Sequence, residues 1–466
     1  MTEPARPECT ARPDSALLPC SGPPACQART NQPTSRITRD ARPSWGYFRM
    51  QQRYVVPSGR RGSVIGDREL GVLARLVSSD ATLSAGGWRE AFEQAFARHV
   101  GARHALSVTS GTVALEIAIR LLDLAPGDEV VVTPQTFQAS IQPLLDKDVE
   151  VRFCDIDPLT LNMDPTALQS LITDRTRAVI LVHYGGCPAD MDAIMKIARP
   201  RGIPVIEDSA HALGATYHGR RPGSLADIAT FSFHSTKNIT TLGEGGMITL
   251  DRDDWAKRVS RYRNNTVDGD YVHHSDAEEI PGALPWMMFS DEIYGRACAR
   301  IRNAGTNATL SEAAAAVGLS QLDRLDELVE RRRLIAGRLD EVVAAFPGAQ
   351  PLYAPRGVSH AYHLYTFLAH DRNMRDALLR ELDERGVEVQ LRYFPLHLTP
   401  EWRFRGHGPG ECPVAEHLWF ERHMNLPCHP GLVDSQVDHL VDTLAAALTA
   451  VTGPAAKLRG GAAATV

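Results

Sequence analysis

The chain reads as an α/β protein: a mainly parallel central sheet covered by helices on both faces, plus a small α/β domain at the C-terminal end. Three observations predict this. Short apolar runs recur at 130–133, 149–154, 178–183, 204–206, 228–233 and 247–250. Helical stretches lie between most of them, which is the pattern of parallel strands joined by crossovers. The length, 466 residues, exceeds what one core usually serves, so two domains are expected.

Composition narrows the function classes. Apolar residues make up 43% and charged residues 23%, as in an ordinary globular protein. The formal charge of −6 offers no general basic field for nucleic acid. No apolar run approaches the ~20 residues that span a bilayer, and no secretory signal is visible. None of the eight cysteines forms a Cys-x-x-Cys pair, so free thiols in a cytoplasm are expected rather than a zinc ribbon or redox site.

Taken in order, residues 1–57 are rich in Pro, Arg, Ser and Thr and read as a disordered or loosely ordered extension. Regular structure is expected from about Asp67. Leu70, Leu73, Ala74 and Val77 have helical spacing, and Trp88, Phe92, Ala95 and Phe96 repeat it. A strand follows, then a turn of small residues, Ser110-Gly111-Thr112, that opens a helix. Such an opening exposes N–H groups and suits a phosphate, but it serves equally as a plain N-cap. A helix is expected to open at Pro134–Phe137. Residues 264–304 read as a long loop. Its His273-His274 pair lacks a spaced third ligand, so no metal site is predicted. A single long helix is expected from Ser311 to about Phe346. Beyond it come a strand at 362–368, a helix at 374–385, a strand at 387–391, and helices at 414–422 and 435–448. The domain plan is therefore 58–310 for the large domain, 311–346 for a linking helix, 347–452 for the small domain and 453–466 for a flexible tail.

In parallel sheets ligands bind beyond the carboxyl ends of the strands. Thr112, Phe137, Asp208 and Lys237 all fall just after predicted strands. A fixed carboxylate and a lysine at strand ends are what pyridoxal phosphate (PLP) requires: lysine forms the Schiff base, and the acid pairs with the protonated pyridine nitrogen. Taken singly, Asp208 reads as a helix cap, Phe137 as core and Lys237 as a solvated charge. Their common position on one sheet edge is what gives the set weight.

With these residues in view, the sequence resembles the DegT/DnrJ/StrS family of sugar and aminocyclitol aminotransferases, PLP enzymes of fold type I, over roughly residues 58–450. Ser110-Gly111-Thr112 resembles the family's cofactor-phosphate turn and Phe137 the ring that stacks on the pyridine. Glu207-Asp208-Ser209-Ala210-His211 resembles its acid motif, with His211 beside the ring hydroxyl. Ser232-Phe233-His234-Ser235-Thr236-Lys237 resembles the Schiff-base motif, with Ser232 on the phosphate. Gly305-Thr306-Asn307 resembles the segment that lends an asparagine to a partner subunit's phosphate, and Tyr393–His397 a later conserved region. The chain departs from the pattern at Arg392, where the family commonly has histidine. The resemblance implies a homodimeric, cytoplasmic aminotransferase that works through Lys237. Its donor would be an amino acid, glutamate or glutamine, and its acceptor a keto sugar (nucleotide-linked in some branches) or a keto cyclitol. The alternatives are a PLP-dependent dehydratase or aromatising enzyme on a cyclic ketone, and a regulatory pseudoenzyme. A Gly-x-Gly-x-x-Gly loop and a P-loop are both missing, which disfavours an oxidoreductase.

Overall fold

A computed structural model describes residues 53–59, 61–84, 86–264 and 305–453. Two amphipathic helices begin it, α1 (Asp67–Val77) and α2 (Gly87–Val100). Helix α2 turns Phe92 and Phe96 into the core and stops at Gly101, whose φ of 83° suits glycine. Strand β1 (His104–Val108) leads into α3 (Gly111–Leu121), and β2 (Glu129–Val132) and β3 (Glu150–Phe153) follow. The helix expected after Pro134 is instead two short 3₁₀ turns, 138–140 and 142–146. Pro143 lies in the second; it has no N–H to donate, so an α-helix there loses a bond and crowds its preceding turn.

Next come α4 (Pro165–Leu171), β4 (Thr176–Val182), α5 (Met191–Ala198), β5 (Val205–Asp208), the two-residue β6 (Thr216–Tyr217), β7 (Ile228–Ser232), β8 (Gly246–Leu250) and α6 (Asp253–Tyr262). The main sheet has the order β1-β8-β7-β5-β4-β2-β3. Strands β3, β2, β4, β5 and β7 run parallel, while β8 is antiparallel to both β7 and β1. Strand β4 is buried at six of its seven positions, as expected of a strand covered on both faces. On the β7 side Phe96 packs on Phe231 at 4.9 Å and Phe92 on Phe233 at 5.4 Å, between ring centroids. These contacts fix the strand end that carries the lysine segment.

The single long helix expected from Ser311 is two, α7 (Glu312–Leu322) and α8 (Leu325–Ala344), separated at Asp323–Arg324. Helix α7, through Ala315 and Leu322, and the first turns of α8, through Leu325, Leu328 and Val329, join the aromatic cluster of the large sheet, whereas Ile335, Leu339 and Val343 further along α8 join a second core. The short α10 (Pro400–Arg403) and α11 (Pro413–His417) pack Trp402 and Ala415 into the core of the large sheet, and β10 (Val358–Ser359) also packs on the large domain. The second core is built on β9 (Gln350–Pro351), β11 (Tyr365–Leu368), α9 (Arg372–Glu384), β12 (His423–Leu426) and α12 (Asp434–Thr452). Its sheet is antiparallel, in the order β12-β11-β9, and β10 pairs with β6.

Residues 387–391 do not form the expected strand. They make isolated bridges, Val387 with Val56 and Gln390 with Asn425. The helix expected over 414–422 ends at His417 and passes through a wider turn into β12. The segment 53–59, placed by sequence at the end of the extension, brings a fully buried Val56 into the second core. Nearby, the buried Arg332 of α8 donates to the carbonyls of Gly62 (2.6 Å), Tyr362 (2.8 Å) and Cys428. Backbone dipoles rather than a counter-ion stabilise this cation. Residues 1–52, the 265–304 part of the long loop with His273-His274, and the tail from 454 lie outside the described residues. Among the described residues, no helix is long and apolar enough to cross a membrane, and no group of three His, Cys, Asp or Glu is arranged around a metal position.

Candidate active site

Strand β5 ends at Asp208 and its parallel neighbour β7 at Ser232, while α3 opens opposite them at Gly111. A cavity of about 390 Å³ lies beyond these ends. Gly111, Thr112, Phe137, Asp208, His211, Ser232 and Lys237 all line it. Two of the predicted residues are placed elsewhere. The Ser110 hydroxyl accepts from the Val113 N–H at 3.2 Å and so caps α3. Asn307 is exposed and does not line this chain's own cavity; its neighbour Ala308 accepts from the Thr109 N–H, next to the α3 opening.

Each lining side chain has an identifiable support. The Asp208 carboxylate accepts from the Ser140 hydroxyl at 2.6 Å and from the Ala210 N–H at 3.0 Å. Ser140 is itself held by Thr136 at 2.7 Å. Behind Asp208, the Ala189 N–H donates to Nδ1 of the buried His183, so Nε2 carries the proton toward Glu207 at 2.7 Å. The second Glu207 oxygen accepts from the N–H groups of Leu225 and Ala226. Two adjacent acids at the end of one strand thus point to opposite sides, one into the framework and one into the cavity.

His211 is buried and sandwiched. Its ring stacks on His363 at 4.4 Å and on Tyr393 at 5.5 Å, and its Nε2 lies 3.2 Å from the Tyr393 hydroxyl. Nδ1 has no partner among the described residues. Burial, reinforced by Lys237 and Arg392, holds this imidazole neutral, well below its usual pKa. Lys237 is half-buried, and no side chain among the described residues hydrogen-bonds its amine. Burial lowers its pKa from 10.5 to about 8; Asp208 opposes that shift and Arg392 adds to it. Phe137 is 50% exposed at the rim, its ring centroid 6.2 Å from that of Tyr393.

The residues suit PLP by their donor chemistry. A Cβ on Gly111 would come within 2.7 Å of the Ser232 Cβ, so only glycine lets the helix opening lie this close to the β7 end. That approach puts the α3 N–H groups and the Thr112 and Ser232 hydroxyls at one end of the cavity, a cradle for a phosphate. The carboxylate, the amine and the unpartnered Nδ1 of His211 line the rest. Thr230 adds a buried hydroxyl with no partner.

Sequence reading missed three contributors. Ser140 lies in a segment expected to be helical. His363 comes from the edge of the second core, after Tyr362, whose φ of 46° is unusual for a non-glycine residue. Arg392 stood out in the sequence only as a departure from the family pattern.

A mainly parallel sheet with a lysine and an acid at adjoining strand ends, plus a small C-terminal domain, is the architecture of fold type I PLP-dependent transferases. Residues 64–445 match the profile of the DegT/DnrJ/EryC1/StrS aminotransferase family. The chain is 34% identical over 357 residues to the GDP-perosamine synthase of Caulobacter vibrioides, covering 76% of this chain and 88% of that one. It is 32% identical over 385 residues to the dTDP-4-dehydro-2,3,6-trideoxy-D-glucose 4-aminotransferase of Saccharopolyspora spinosa, covering 81% and 94%. Among solved structures, Spr1654 of Streptococcus pneumoniae superposes in its PLP-form with a TM-score of 0.73 and 26% identity, covering 85% of this chain and 99% of that one. The chain belongs to the DegT/DnrJ/EryC1/StrS aminotransferase family, whose enzymes use pyridoxal phosphate.

Proposed function

We propose that this chain transfers an amino group from an amino acid, glutamate or glutamine, to a keto sugar carried on a nucleotide. The observation that carries the reading is the pairing of Lys237 and Asp208 across one cavity at adjoining strand ends. The names of the two curated relatives, both of nucleotide-sugar enzymes, support the acceptor class.

When bound, pyridoxal phosphate supplies an electron sink that acidifies the C–H bond beside the amine. The protein's part is positional and protonic. Asp208, anchored by Ser140 and the Ala210 N–H, presents a carboxylate that keeps the pyridine nitrogen protonated. The α3 opening at Gly111, with Thr112 and Ser232, would hold the phosphate. Phe137 would cover the ring face and His211 would meet the ring hydroxyl. Lys237, with its pKa lowered to about 8, would act as the base that carries the proton between the substrate carbon and the cofactor. In this reading two chains form the working unit, and Asn307 of each would reach the other's phosphate. We assign 58–310 to the cofactor domain and 347–452 to the small domain, joined by 311–346.

The test is a pair of half-reactions on cofactor-loaded enzyme. An amino-acid panel should convert the cofactor to its amine form, as followed by absorbance, with glutamate or glutamine fastest. Nucleotide-linked keto sugars should then restore the aldehyde form faster than free keto sugars or keto cyclitols. If no amino acid converts the cofactor, the transferase reading fails and a dehydratase reading replaces it. A cyclitol as the best acceptor would overturn the sugar assignment alone.

A further inference from the structure

Two arginines, Arg332 and Arg392, meet at a small cavity next to the active-site cavity. Arg332 is fully buried, and its terminal nitrogens donate to backbone carbonyls. Arg392 lines the cavity beside Lys237 and has no carboxylate partner among the described residues. Its nearest company is its neighbour Tyr393, with the guanidinium carbon 6.0 Å from the ring centre. The Arg392 backbone is held from both sides. Its N–H donates to Asn425 Oδ1 at 2.7 Å, and its carbonyl accepts from the Tyr184 hydroxyl. Asn425 is fixed in turn by Thr366 at 2.8 Å. The base of the side chain is therefore pre-organised, and its charge is left free for something that enters the cavity.

We propose that Arg392 is the donor-specificity residue: its guanidinium binds the carboxylate on the reacting carbon of the amino-acid donor. This rests on the transferase reading above. Guanidinium is the side chain best matched to a carboxylate, through two parallel charge-assisted hydrogen bonds. Two acids line the cavity, Asp208, which is committed to Ser140 and the Ala210 N–H, and Glu244, which lies 3.7 Å from His234. The Arg392 side chain hydrogen-bonds Tyr393 and has no carboxylate partner among the described residues, so its charge is one that a donor anion neutralises. Distance decides between the two anionic substrates. A donor carboxylate sits one bond from the carbon whose proton Lys237 moves, so it must lie next to Lys237. The phosphates of a nucleotide sugar are a ring's width from a 4-keto carbon and fall toward the mouth. Arg392 is close enough to the Lys237 amine to help lower its pKa, which puts it at the donor end.

The experiment compares wild-type, Arg392→Gln and Arg392→Lys holoenzymes, each half-reaction measured separately in single turnover. In Arg392→Gln the KM for glutamate should rise about 10- to 100-fold with a smaller change in kcat, and the loss in the glutamate half-reaction should exceed that in the nucleotide-sugar half-reaction, which shares only the effect of Arg392 on Lys237. Arg392→Lys should recover part of the loss. Wild-type should strongly prefer glutamate over 4-aminobutanoate, which has no carboxylate on the reacting carbon, and Arg392→Gln should lose most of that preference. Retained cofactor absorbance and melting temperature in both variants exclude a folding defect. An unchanged glutamate KM overturns the proposal, as does a loss confined to the sugar half-reaction. Calorimetric binding of 2-oxoglutarate separates the two levels. If wild-type transfers no amino group yet binds 2-oxoglutarate through Arg392, the transferase reading fails and the carboxylate site stands; if it transfers and Arg392→Gln binds as well as wild-type, the carboxylate site fails alone.

Discussion

The active-site cavity is not the roomiest in the protein. A second cavity of about 510 Å³ lies against β6 and β10, lined by Asp157, Thr160, Asp190, Tyr217 and Tyr353. Its two carboxylates are already paired. Asp157 accepts from the N–H groups of Leu159 and Thr160 and from the Thr160 hydroxyl. Asp190 caps α5 and accepts from the Tyr217 hydroxyl at 2.9 Å. In the smaller cavity, of about 390 Å³, the Lys237 amine, His211 Nδ1 and the Thr230 hydroxyl have no such partners among the described residues, and Arg392 has no carboxylate beside it there. Unpaired polarity in a buried place costs stability, and chemistry at the site is the reason to retain it. The difference teaches that volume alone does not mark the site.

Substitutions on the two sides should separate accordingly. Lys237→Ala should lower turnover by at least about 10³-fold, the scale of removing a positioned base, measured as steady-state amino transfer with the fold intact. Asp208→Asn should cost about 100-fold and weaken cofactor retention, read by dialysis and absorbance, because the amide cannot hold the pyridine nitrogen protonated. A pH series on cofactor-free protein should show a smaller but diagnostic effect. Attachment of PLP needs the free amine, which is scarce below the lysine pKa. The attachment rate should therefore climb about tenfold per pH unit and level off near 8, the value to which burial brings Lys237. An unshifted lysine would keep the rate climbing toward pH 10.5. The smallest effect belongs to the other cavity. Tyr217→Phe removes the hydroxyl shared by Asp190 and the Asp192 N–H, and should cost about 1 kcal/mol of stability with turnover unchanged. A comparable loss of turnover there would break the contrast between the cavities.

The rim of the candidate site was legible in the sequence for a physical reason. Buried parallel strands are apolar runs, and their ends are marked by the first polar residues, so Asp208 and Ser232 announced themselves and Lys237 followed. The supports were not legible. Ser140 and Asp208 are 68 residues apart, and His363 reaches His211 from a different core. Periodicity carries no information about such contacts. Apolar spacing also ran straight through Asp323–Arg324, because Leu322 before the break and Leu325 after it are buried in the same core. Likewise the apolar character of 387–391 reflects packing against Val56 and Asn425 as isolated bridges, which a pattern cannot tell from a strand. Arg392 was visible as a departure from the family, but its meaning came from the absence of an acid beside it.

The most direct measurement is the site of covalent cofactor attachment. The sequence contains five lysines, 147, 196, 237, 257 and 457. Borohydride treatment of the PLP-loaded protein, followed by peptide mapping, should place the reduced cofactor on Lys237 alone, and Lys237→Ala should abolish the adduct. Cofactor on any other lysine, or an unchanged adduct in Lys237→Ala, would contradict the assignment of this cavity as the active site.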